Sequence, residues 1–142
     1  MPEYTIINKN VNITDDFFLY PYYIFRVNVI FKRPFMKPKK IEKIMYVDLF
    51  REVALMGKEF PQLIKITTTL GRVIPSIISL ERAESLAITA SEDWARKTKM
   101  IWSVPQVEII DKIQAYRIYY IKKEKKGEYI LDSLTLTKKK LK

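Results

Sequence analysis

The residues of this chain best placed to do chemistry are its lysines and arginines, and the chemistry they suit is phosphate binding. Five of the 26 basic residues fall in Lys32-Arg33-Pro34-Phe35-Met36-Lys37-Pro38-Lys39-Lys40, with no acid among them. Four more crowd Lys122-Lys123-Glu124-Lys125-Lys126-Gly127, and four of the last five residues are lysine. A charge run can simply solubilise a loop. Three runs on a chain of net charge +10 point instead to a polyanion, because cations gain free energy by displacing counterions condensed on a phosphate backbone. The first 31 residues carry Lys9 and Arg26 against Glu3, Asp15 and Asp16, a net of −1, so the net positive charge comes from the residues beyond them.

Other chemistries have less to work with. There is no cysteine and no histidine, which removes disulfides, thiolate metal sites, the commonest general base and any Ser-His-Asp triad. Carboxylates that could serve a Mg²⁺-dependent nuclease exist as Glu81, Glu84, Glu92, Asp93, Glu108 and Asp111. No motif gathers them. No cofactor is expected. The chain has no apolar run of roughly 18 residues and no basic start followed by an apolar core, so it reads as cytoplasmic, with no membrane partner. Abundant Ile, Lys, Glu and Tyr with three glycines hint at a thermophile.

Periodicity gives the elements that must position the cations. Tyr23, Phe25, Val27, Val29 and Phe31 alternate with Ile24, Arg26, Asn28, Ile30 and Lys32, which predicts a strand that ends at Pro34 and opens a basic loop. Ile41, Met45, Leu49, Val53 and Met56 then recur at spacings of three and four, predicting a helix from about Pro38 to Gly57. Leu63 to Leu70 reads as a second strand, closed by Gly71 and Arg72. Leu80, Ala83, Ala87, Ala90 and Trp94 predict a second helix, running from about Pro75 to Trp94 or a little beyond. Val107 to Ile121 and Glu128 to Thr137 form a terminal hairpin around the lysine-rich turn. The expected fold is an α+β two-layer sandwich of order β-α-β-α-β-β, with about four strands and two helices on one side. Residues 1–19 would be an arm or edge segment, 20–138 a single domain and 139–142 a basic tail. Tyr116, Tyr119, Tyr120 and Tyr129 are expected to pack across strands in preference to stacking on bases. Trp94 and Trp102 are expected in the core or an interface.

Two short motifs in this order resemble a known family. Val29-Ile30-Phe31-Lys32-Arg33-Pro34-Phe35-Met36 is similar to the strand-to-loop motif of the archaeal chromatin protein Alba and its relatives, and Gly71-Arg72-Val73-Ile74 is similar to their Gly-Arg turn into the second helix. The resemblance covers roughly residues 23–138. The stretch from Pro34 to Gly71 is longer than in typical members, and Pro75 sits where they continue a helix start. The resemblance implies a nucleoid-associated, non-sequence-specific binder of DNA or RNA, acting as a homodimer or a heterodimer with a related subunit. It implies phosphate contacts from Lys32, Arg33 and Arg72, a groove-seeking hairpin tipped by Lys122, Lys123, Lys125 and Lys126, and a Lys32 open to acetylation. Lys37, Lys39 and Lys40 join this set by their charge alone. With about six cations on a duplex, the log–log salt slope would be roughly −5. Neutralising Lys32 and Arg33 would weaken binding more than neutralising Lys9 and Arg26. The competing expectations are a viral or plasmid assembly protein, whose charge confers solubility, and the metal-dependent nuclease.

Overall fold

The structure is a computed structural model that describes residues 3–7, 17–33, 35–67, 72–99, 104–124, 127–132 and 138–140. Its described residues form nine strands and one helix: β1 (Glu3–Ile7), β2 (Phe17–Arg33), β3 (Met36–Asp48), β4 (Val53–Gly57), β5 (Leu63–Thr67), β6 (Arg72–Val73), α1 (Leu80–Lys99), β7 (Gln106–Glu124), β8 (Gly127–Asp132) and β9 (Lys138–Lys140). The expected two-helix, four-strand sandwich is therefore wrong. The sheet order is β4-β3-β2-β7-β1-β5, with β6 paired to β2, β8 to β7 and β9 to β8. The chain divides into two compact units, residues 1–22, 61–75 and 114–142, and residues 23–60 and 76–113.

The helix expected from Pro38 to Gly57 is instead the hairpin of β3 and β4, in register from Ile44↔Gly57 to Asp48↔Val53. The reason lies in the spacing. Ile41, Met45, Leu49 and Val53 are four apart, which fits a helical face and also one face of a strand, since four is an even number. Tertiary packing decides between them: Met45, Val47 and Leu49 are buried with Phe25, Val27, Val29 and Phe31 of β2 in one apolar cluster. Pro38 lies in the stretch of β3 before the β4 register begins, a place where a missing N–H is tolerated. Asp48 sets the turn. Its Oδ1 accepts hydrogen bonds from the backbone N–H of Phe50 (2.9 Å) and Arg51 (2.8 Å), and its carbonyl accepts one from Glu52 N–H at 3.0 Å.

The expected second helix is present but starts later. Ser79 caps it, its Oγ accepting from the Arg82 N–H at 3.1 Å, so Pro75 lies outside. The buried stripe is Ala83, Ala87, Ser91 and Ala95, one residue every four, with Leu80, Leu86, Ala90 and Trp94 half-buried alongside. Ser91 can sit in that stripe because its Oγ donates to the Ala87 carbonyl at 2.8 Å. These small side chains lay α1 closely over β3 and β4.

In the other unit, β1 pairs antiparallel with β5 from Glu3↔Thr67 to Ile7↔Leu63 and parallel with β7 at Ile6↔Tyr116. Ile6, Phe17, Leu19, Ile118 and Tyr120 form its core. Arg117 donates from Nε to Asp132 Oδ1 at 3.0 Å and also pairs through its Nη2 with Oδ2. Burial lowers the Arg117 pKa, but the bond to Asp132, together with the charge of Asp132 and the neighbouring Tyr119 and Tyr22, outweighs that effect and raises it above the ordinary arginine value. Tyr116 stands edge-on to Tyr4 with centroids 5.4 Å apart, and Tyr119 to Tyr20 at 5.7 Å, which is the packing role expected of the tyrosines. Trp102 lies outside the described residues.

Candidate nucleic-acid interface

β2 and β3 are neighbours in the sheet with only residues 34 and 35 between them, so the first basic run is a β-hairpin arm. It is neither a loop nor a helix start. At its root the side chains are covered, Phe31 being 4% and Met45 1% exposed. Further out, Lys32 is exposed and so is every residue from Met36 to Lys40. Consecutive strand residues point to opposite faces, so five exposed residues in a row mean that neither face of β3 is covered there, while β2 beside it is buried as far as Phe31. The sequence thus changes abruptly from apolar alternation to Lys and Pro where the core stops.

The arm brings together Lys32, Lys37, Lys39 and Lys40, with the Arg33 backbone completing β2. Lys37 and Lys39 share one face of β3 and Lys40 takes the other, so a ligand meets cations on both sides. Further down, Glu42 accepts from Arg26 at 2.9 Å, and that arginine also lies over the Phe60 ring, 4.7 Å from its centroid. Lys43 sits over the Trp94 ring at 4.5 Å. These two cations serve the fold.

The turn carries a feature that charge counting missed. Phe35 is fully exposed (107%), Met36 is 61% exposed, and Phe35 has a φ of 57°. A positive φ in a tight turn is glycine's ordinary place, because a Cβ crowds the backbone there. The sequence signal was available: an aromatic residue between two basic pairs, just past a strand whose Phe25 and Phe31 point inward.

The remaining expected site residues belong to the other unit. The Gly-Arg turn does not open a helix: Arg72 and Val73 form β6, parallel to β2 at Phe18↔Arg72 and Leu19↔Val73. The Ile74 N–H then donates to the Leu19 carbonyl at 2.9 Å. The Arg72 guanidinium is exposed and lies 5.8 Å from the Phe18 ring centroid. Lys122 and Lys123, expected in a turn, are in strand β7, in register with Tyr129 and Glu128. Lys125 and Lys126 lie outside the described residues. Lys138–Lys140 pair with β8, at Leu131↔Lys138 to Tyr129↔Lys140.

The carboxylates are dispersed. Glu84 accepts from Lys112 at 2.9 Å, and this hydrogen bond, with the carboxylate's charge, raises the Lys112 pKa above the usual lysine value. Asp93 pairs with Arg96, and Asp111 Oδ1 accepts from the Lys112 N–H. Among the described residues no group of three or more acids could hold a metal ion, and no helix is long and apolar enough to cross a membrane. Comparison with protein-family models, curated proteins and solved structures finds no match for this chain.

Proposed function

We propose that this chain binds nucleic acid through the phosphate backbone, without reading sequence, and that the β2–β3 arm is the principal contact. One observation carries the reading: five basic residues within nine lie around the tip of a hairpin whose β3 strand is exposed on both faces from Met36 to Lys40, and the stretch bears no acid. A two-stranded ribbon is narrow enough to enter a groove, and lysines act there as mobile point charges while arginine grips a phosphate bidentately. Such contacts position the protein and carry no sequence information. Arg72, Lys122, Lys123, Lys125 and Lys126 belong to the other unit and are proposed as separate, weaker phosphate contacts. The order of elements differs from the one that the Alba resemblance implies, so the proposal stands on these residues and their placement alone. Competition among duplex DNA, single-stranded DNA and structured RNA at moderate salt tests it. Binding insensitive to salt, or absent for all three, would sink it.

A second reading is assembly with another copy of the chain. β4 stands at one end of the sheet order, carries no charge or proline, and leaves Val53, Leu55 and Met56 at 44%, 58% and 36% exposure. Uncharged edges of this kind template strand pairing. Sedimentation velocity of the wild type and of Leu55→Lys distinguishes it: a dimer lost in the variant supports the reading, and a monomer in both refutes it.

A further inference from the structure

We infer that Phe35 is a stacking wedge, whose ring packs against a nucleobase face while the flanking cations hold the adjoining phosphates. The inference rests on the nucleic-acid reading above and goes beyond it, since phosphate contacts alone have no use for an aromatic ring. The fold has no use for it either. Phe35 is 107% exposed, so its ring is left in water, and its φ of 57° is one that an L side chain adopts only at a cost in backbone energy. Glycine would serve the turn better on both counts. A bulky aromatic kept in a strained position where it packs on nothing is there for something outside the chain.

The surroundings identify the chemistry. Lys32 lies three residues before the ring and Lys37 two after it, both exposed, with Met36 61% exposed between. A ligand that fits must offer a flat apolar face beside negative charge, which is what a base next to its phosphate offers. Apolar wedges at the tips of groove-binding elements unstack a base step in duplexes, and aromatic platforms stack bases in single strands. An anionic membrane also combines apolar and negative parts. Two apolar side chains at one turn, however, bury far less hydrocarbon than a single acyl chain, which itself anchors only marginally. The base face is therefore the better match.

The test compares wild type with Phe35→Ala, Phe35→Leu and Phe35→Trp, none of which removes a buried side chain. The probes are a labelled duplex containing 2-aminopurine, the same strand alone, and vesicles of phosphatidylserine and phosphatidylcholine. Loss of one stacked base should weaken Phe35→Ala roughly 5- to 150-fold on the preferred nucleic acid. Phe35→Trp should restore binding and Phe35→Leu should not, with one salt slope for all four proteins. The nucleic acid with the larger loss identifies the source of the base, and a rise in 2-aminopurine emission on duplex binding by wild type and Phe35→Trp but not by Phe35→Ala marks unstacking. Equal affinity of Phe35→Ala and wild type overturns the wedge while leaving the phosphate reading intact, provided that neutralising Lys32 and Lys37 still flattens the salt slope. Recovery by leucine overturns stacking in favour of simple apolar contact. Vesicle binding that is lost in Phe35→Ala while oligonucleotide binding is unchanged assigns the tip to a membrane. Absence of nucleic-acid binding in every protein removes the reading and the wedge together.

Discussion

Replacing Lys32 and Lys37 by glutamine should change how binding depends on salt, by an amount that the arm fixes in advance. Five basic residues, Lys32, Arg33, Lys37, Lys39 and Lys40, lie around the tip of the β2–β3 hairpin. Each duplex phosphate neutralised contributes about −0.9 to the slope of log K against log salt, so five contacts give roughly −4.5. Between 50 and 200 mM salt that slope costs about 500-fold in affinity. Removing two contacts leaves roughly −2.7, and the same change in salt then costs only about 40-fold. Fluorescence anisotropy of a labelled 20-mer duplex (about two helical turns, the size of an ordinary probe) measures both slopes directly. The control pair is Lys58→Gln with Lys97→Gln, both exposed and outside residues 32–40. It has the same effect on net charge and should leave the slope almost unchanged. Arg26 is unsuitable as a control, since Glu42 and Phe60 already hold it. If the control flattens the slope as much as the arm pair does, the effect is one of net charge and the arm has no special role.

Three further substitutions test the scaffold, and each should leave the salt slope untouched. Asp48→Ala removes the acceptor of two backbone N–H groups in the β3–β4 turn and should cost about 2 kcal/mol in urea unfolding; a loss too small to measure would mean that the turn forms without it. Ala87→Leu forces a large side chain under α1, where Ala87 is fully buried, and should destabilise by about 1–3 kcal/mol. A neutral result there would show the helix seated more loosely than its alanine stripe requires. Asp132→Asn leaves Arg117, whose side chain is 22% exposed, without its carboxylate and should cost about 2–3 kcal/mol; a stability equal to wild type would mean that water replaces the pair.

How much of this was legible in the sequence depends on whether one period fitted the apolar residues. Strand β2 was, because Phe25, Val27, Val29 and Phe31 alternate without ambiguity and all are buried. The α1 stripe was too, since Ala83 and Ala87 with half-buried Ala90 and Trp94 fit only a helix; Ser91 escaped because a hydroxyl looks polar until its bond to the Ala87 carbonyl is seen. The Ile41–Val53 stripe was not, because a spacing of four serves both periods and long-range packing chose the strand. β1 and β6 are short, and pairing with distant partners fixes them as strands. For the candidate site, the cationic residues were visible as a run, whereas their mounting on an arm was missed because the segment after Pro38 was read as a helix. The exposure of Phe35 depends on where the core stops, which the change from apolar alternation to Lys and Pro marks but the expected helix obscured.

The most direct test of the central claim is to map where bound nucleic acid touches the chain. Photocrosslinking of the wild type to duplex DNA and to structured RNA, followed by mass spectrometric identification of the modified residues, would do this at moderate salt. The account predicts crosslinks concentrated on residues 32–40, with weaker sites at Arg72 and around residues 122–126. Crosslinks spread over the basic residues in proportion to their exposure, or confined to the unit that lacks the arm, would contradict it.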